Sequence, residues 1–224
     1  MLWTTSLKYW LLVSATAVLA AATAHAADSA TITFSLDFPN SDPAHYTITV
    51  SADGHVVYEC VARISAESDD TESYKYEFDL TTSDRTRIFD LASQAHYFSG
   101  KVDSGNRKLA FTGSKKLTYT NGSQTSTAEY NYSTQPAVQQ LTDVFQKMAA
   151  TLEYGRRLVR EHRFQKLALD DELKRMESQA RESQLAEISA IQPILQAIVD
   201  DSSVINVVRA RAQRLIEMGK AIAR

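Results

Sequence analysis

The chain has 224 residues, a single cysteine and a formal net charge of −3. The negative balance argues against a nucleic-acid binder, and one cysteine excludes an internal disulfide. With 44% apolar and 23% charged residues, the composition is that of a globular body rather than a disordered or fibrous one.

Residues 1–26 read as a cleavable export leader. Lys8 and the amino terminus supply positive charge, and Trp10, Leu11, Leu12, Val13 and an alanine-rich run supply the apolar stretch. Ala24-His25-Ala26 has the small-x-small pattern of a signal-peptidase site. Ser14, Thr16 and Thr23 interrupt the run, so it is too short and too polar to be a membrane anchor. The expected location is the bacterial periplasm or the exterior, with no transmembrane span after the leader is removed.

The next segment alternates with period two. Ile32, Phe34, Leu36 and Phe38 interleave with Thr31, Thr33, Ser35 and Asp37, the pattern of a half-buried strand. Pro39 and Pro43 bracket a break before the strand Tyr46, Ile48, Val50. Asp53-Gly54 supplies a tight hairpin, and a strand returns from Val56 to about Arg63. After an acidic loop, Tyr74, Tyr76, Phe78 and Leu80 mark a fourth strand. Ser83 is the expected cap of a helix near residues 83–97 with Ile88, Leu91, Ala92 and Ala95 inward. A second β region is expected over Leu109 to Phe111 and Leu117 to Thr120, then across an Asn121-Gly122 turn to Ala128, Tyr130 and Tyr132.

From Pro136 the period becomes helical, with Val138, Leu141, Phe145, Met148 and Leu152 on one stripe. Asp170 reads as a new cap, and Pro193 should kink or split the segment that follows. A last helix holds Val204, Val208, Leu215 and Ile216. Charge changes along the chain from net −6 over residues 27–135 to net +2 over residues 136–224. The expected fold is α+β: an antiparallel sheet with packed helices over residues 27–150, followed by an antiparallel α-helical region over residues 151–224.

Sequence signals for chemistry are few. His45, His55, His96 and His162 lack metal-ligand spacing, and no cysteine pair is present. Gly113-Ser114-Lys115-Lys116 lacks Walker spacing and reads as a turn. The acidic loop at residues 67–72 lacks a calcium-loop order. Cys60, on a strand, reads as a small buried residue. Two groups remain as a candidate interaction surface: Arg156, Arg160 and Arg163 at helical spacing, and the strand tyrosines Tyr74, Tyr76, Tyr130 and Tyr132. Guanidiniums on one helix face suit anionic headgroups, polyanionic polymers or an acidic partner; exposed tyrosines suit proteins or glycans.

Residues 108–122 (KLAFTGSKKLTYTNG), 130–133 (YNYS) and 136–145 (PAVQQLTDVF) resemble a group of uncharacterised exported bacterial proteins. Residues 185–191 (LAEISAI) and 209–215 (RARAQRL) resemble their tails. The resemblance implies export and no particular activity or site residue. The function expected from the sequence is a non-enzymatic module that binds a protein or polymer of the bacterial envelope, without a cofactor. The runner-up is a small-ligand carrier with an apolar pocket between sheet and helix, and an unrecognised hydrolase stands third.

Overall fold

A computed structural model of the chain describes residues 30–39, 41–64 and 70–222. The leader expected over residues 1–26 and residues 67–69 of the acidic loop lie outside the described residues. Six strands make one antiparallel sheet: β1 (Thr31–Asp37), β2 (His45–Ser51), β3 (His55–Arg63), β4 (Thr71–Asp79), β5 (Ser114–Asn121) and β6 (Gln124–Tyr130). Their spatial order is β4-β3-β2-β1-β5-β6. A meander therefore builds outward from β1, and the β5–β6 hairpin returns to β1's free side. Gly54 and Gly122 take the positive φ that these tight hairpins demand.

Alternation divides the sheet into two faces. Ile32, Phe34, Ile48, Val50, Val56, Tyr58 and Leu117 point one way and are fully buried. The other face is rich in hydroxyls, with Thr33 hydrogen-bonded to Thr49 and Thr118 to Thr127, each at 3.1 Å across neighbouring strands. β-Branched hydroxyl residues suit a solvated strand face, because they stiffen the backbone and tolerate water.

Among the described residues, five α-helices complete the α+β fold: α1 (Thr82–Gln94), α2 (Pro136–Phe164), α3 (Leu169–Arg181), α4 (Gln192–Asp200) and α5 (Asn206–Ile222). α2 covers the apolar face of the sheet. Phe145 stacks on Phe34 with ring centroids 5.3 Å apart, and Met148 and Leu152 are buried one and two turns further on. The interface between sheet and α2 is thus filled by aromatic and aliphatic side chains. α1 packs beside α2, α3 and α4 pack against α2, and α5 packs on α3 and α4. Gly155 allows the closest approach: a Cβ there would stand 2.8 Å from Ile191 Cγ2 and 3.2 Å from Ile194 Cδ1.

Several local expectations need correction. The α1 cap is Thr81, not Ser83; Thr81 Oγ1 accepts the Asp84 N–H at 3.1 Å. Leu109 to Phe111 do not form a strand. The Asn131 side chain accepts the Thr112 N–H at 3.0 Å and donates to the Ala110 carbonyl at 3.0 Å, so it satisfies backbone groups that a ladder would otherwise use. Leu109 and Phe111 are exposed. α3 opens at Leu169, with Asp170, Asp171 and Glu172 in its first turn, where carboxylates favour the helix dipole. Pro193 does split its segment: a 3-10 turn at Ile188–Ile191 precedes α4, and Pro193 sits in α4's first turn. α2 runs unbroken past residue 150, so the sheet and the helical tail share that helix and one continuous core.

Candidate functional site

The basic segment of α2 lies where the end of β3, the later turns of α2 and the start of α3 meet. There they enclose an open pocket of about 490 Å³. Five arginines line it: Arg63 from β3, Arg156, Arg157 and Arg160 from α2, and Arg175 from α3. Three carboxylates line it as well, Asp42, Glu161 and Glu172, and with Glu153 beneath them the ionised groups leave a surplus of one positive charge.

The floor is a buried ionic network. Glu153 accepts the Tyr58 hydroxyl at 2.7 Å on one oxygen and Arg156 Nε at 2.9 Å on the other. Arg156 also lies 3.6 Å from Asp42 and donates to the Arg63 carbonyl at 3.3 Å. Burial alone would lower the Arg156 pKa; Glu153 and Asp42 more than offset it and hold it above the ordinary value. Tyr58 is pushed far above its ordinary value, first by burial and then by the Glu153 charge. Cys60, buried beside the same carboxylate at 3.4 Å, is raised to about 12 by burial and then by Glu153. Its thiol is therefore held protonated, and a nucleophilic thiolate is disfavoured.

The walls are differently occupied. Glu172 takes Arg157 Nε at 2.5 Å and also pairs with Arg175. Burial opposes ionisation of Glu172, but Arg157 and Arg175 prevail and its pKa lies below the ordinary value. The Arg157 guanidinium also lies over the Tyr154 ring at 4.7 Å. Neither Arg63 nor Arg160 has an ion pair among the described residues. Arg160 Nη1 and Glu161 Oε2 are buried with no hydrogen-bond partner among the described residues. The Glu161 carboxyl is pushed up to about 7, by burial first and by the Glu172 charge second. A buried guanidinium nitrogen without an acceptor costs about 1–3 kcal/mol.

Guanidiniums on opposing walls are suited to a carboxylate, phosphate or sulfate group, because their planar forks present paired donors to paired oxygens. The arrangement can bind and orient such a group.

The residues expected to form an interaction surface are dispersed by the fold. Arg156 is only 5% exposed and serves the floor of the pocket. Arg160 lines the pocket. Arg163 lies outside it, exposed, with its guanidinium 5.0 Å from the Phe164 ring centroid. Among the tyrosines, Tyr130 is buried and its hydroxyl meets Thr142 Oγ1 at 2.7 Å. Tyr74 and Tyr76 are half-buried and stack on each other at 6.3 Å, and Tyr76 donates to the Ala190 carbonyl at 2.9 Å. Only Tyr132 is well exposed. These tyrosines do not make an exposed sheet face, because strand alternation turns Tyr74, Tyr76 and Tyr130 to the side that α2 and the 3-10 turn cover.

Arg63, Arg175 and Glu172 were not singled out in the sequence, whereas Glu153 and Glu161 were expected only to neutralise part of a solvated basic face. No periodicity links the end of a strand to two separate helices. The adjacency of Arg156 and Arg157 to Glu153 at helical spacing was the only local signal. Among the described residues no group of three His, Cys, Asp or Glu side chains is placed to hold a metal ion, and no helix is long and apolar enough to cross a membrane.

No protein-family model matches this chain, and no curated protein is similar to it. Residue roles rest on the geometry alone.

Proposed function

We propose that this chain is an exported, non-catalytic binding module, and that its arginine pocket receives an anionic group of a bacterial envelope component. The observation that carries the reading is the convergence of Arg63, Arg160 and Arg175 from three separate elements on one open pocket, where Arg63 and Arg160 have no ion pair among the described residues. The other lining carboxylates are committed: Asp42 to Arg156 and the Arg63 N–H, and Glu172 to Arg157 and Arg175. An incoming anion therefore meets the Arg63 and Arg160 guanidiniums, which no carboxylate of the described residues pairs. Export is supported by the charged, apolar and small-residue order of residues 1–26.

Titration calorimetry with dextran sulfate, polyphosphate and uncharged dextran tests this. Binding is expected for the two polyanions and not for the neutral polymer. Removing one charge-assisted donor by Arg160→Ala should weaken binding by about tenfold to a hundredfold, the equivalent of about 1.5–3 kcal/mol. No binding to either polyanion at low salt, or an affinity unchanged by Arg160→Ala, overturns the reading. For export, cell fractionation that recovers the chain in the cytosol with its leader attached does the same.

A further inference from the structure

The far end of α2 carries an apolar feature beside the pocket. Phe164, the last residue of α2, is 69% exposed, and Leu167, in the loop to α3, is 94% exposed. Ile205, 60% exposed, stands on the loop between α4 and α5. Lys166 clamps the two loops together, reaching Asp201 Oδ2 at 2.6 Å and Ser203 Oγ at 2.5 Å. Large apolar side chains held outward at one tip are unfavourable in water and favourable in an apolar phase.

Charge at this end fits a particular phase. Arg163 has no ion pair among the described residues and faces the Phe164 ring. Arg160 lies one helical turn before Phe164, on the same side of α2. Gln165 lines the arginine pocket. Pocket and tip are therefore contiguous. Of the neighbouring carboxylates, Asp201 is held by His162 and Lys166 and Asp170 by Arg211, while Asp171 and Asp200 are exposed and oppose the trend.

Building on the anion-binding reading above, we infer that the anion is the phosphate of an anionic phospholipid and that this end of the molecule docks on a bilayer surface. The headgroup occupies the arginine pocket, and Phe164 and Leu167 enter the boundary between headgroups and acyl chains. Apolar insertion and basic attraction then act together, the combination that stable surface attachment requires.

Co-sedimentation of the full chain with vesicles of phosphatidylcholine alone, or of phosphatidylcholine with phosphatidylglycerol, tests the inference. Dextran sulfate, a soluble polyanion, is titrated in parallel. Binding is expected only to the vesicles containing phosphatidylglycerol. The double variant Phe164→Gln/Leu167→Gln, which changes no charge, should lose about tenfold or more of that binding while keeping its dextran sulfate affinity. Arg160→Ala should weaken both. Dextran sulfate binding without vesicle binding overturns the lipid assignment and leaves the pocket reading intact; binding to neither probe overturns both. Wild-type vesicle affinity in the tip variant overturns the insertion. Full vesicle affinity in Arg160→Ala overturns the headgroup placement. A wild-type dimer that the tip variant dissociates, with no vesicle binding, assigns the tip to a second copy of the chain instead and overturns the inference.

Discussion

Replacing Glu153 by alanine should be among the most damaging single changes available in α2. The carboxylate is buried and serves Tyr58 at 2.7 Å, Cys60 at 3.4 Å and Arg156 at 2.9 Å. Its loss leaves the buried Arg156 guanidinium with only Asp42, at 3.6 Å, as a counter-charge. Stranding one partner of a buried ion pair costs about 3–5 kcal/mol. Domains have about 5–15 kcal/mol in all, so this is about a fifth of the total or more. For a chain of this size, each kcal/mol moves the melting temperature by about 2–4 °C, so a fall of roughly 6–20 °C is expected. The double variant Glu153→Leu/Arg156→Met removes both charges. It should lose only about 1–3 kcal/mol, chiefly from the unpaired Tyr58 hydroxyl. Circular dichroism during thermal and urea unfolding at pH 7 measures all three proteins. Glu153→Ala within about 1 kcal/mol of wild type, or a double variant no better than the single, would refute the reasoning.

Gly155→Val drives branched carbons against Ile191 and Ile194 and should destabilise by about 1–3 kcal/mol in urea unfolding, despite the higher helix propensity of valine. Glu161 gives a pH dependence. Unfolded, its carboxyl ionises near 4.5; folded, it holds its proton to about 7. The native state therefore binds more protons between those values, and stability falls as pH rises through that window. The pocket is more positive at pH 6 than at pH 8, so dextran sulfate should bind more tightly at pH 6; Glu161→Gln should flatten that dependence and raise the melting temperature at pH 8. Glu177 has the opposite sign. Hydrogen bonds from Arg214 and then Arg211 outweigh burial and hold its carboxyl at about 2, well below 4.5. Its stabilisation is complete above about pH 4.5 and is lost as pH falls towards 2, so Glu177→Gln should flatten the melting-temperature profile between pH 5 and 2.

The strands were legible because burial on one face writes a period of two into β1, β2, β3 and β4, and because Asp53-Gly54 and Asn121-Gly122 admit few backbones other than a tight hairpin. The stripe from Val138 to Leu152 was legible for the parallel reason in α2. Leu109 to Phe111 misled because three apolar residues carry no information about whether a ladder partner exists. The Thr81 cap was obscured by Ser83, an equally good capping residue two positions later. At the pocket, periodicity placed Arg156, Arg160 and Arg163 together but carried no information about which side of α2 the later helices would leave open. That side holds Arg157 and Arg160, whereas Arg156 is drawn down to Glu153 and Arg163 turns outward. Arg63 and Arg175 join through tertiary packing alone, which a single sequence does not encode locally.

The most direct test of the anion pocket is a footprint of arginine reactivity. Purified protein is treated with phenylglyoxal, with and without dextran sulfate, and the modified arginines are read by mass spectrometry. The account predicts that the polyanion shields Arg157, Arg160 and Arg175 together while Arg181 and Arg214, on the far part of the helical tail, react at unchanged rates. Equal reactivity of the three pocket arginines in both conditions, or shielding spread evenly over all five, would contradict it.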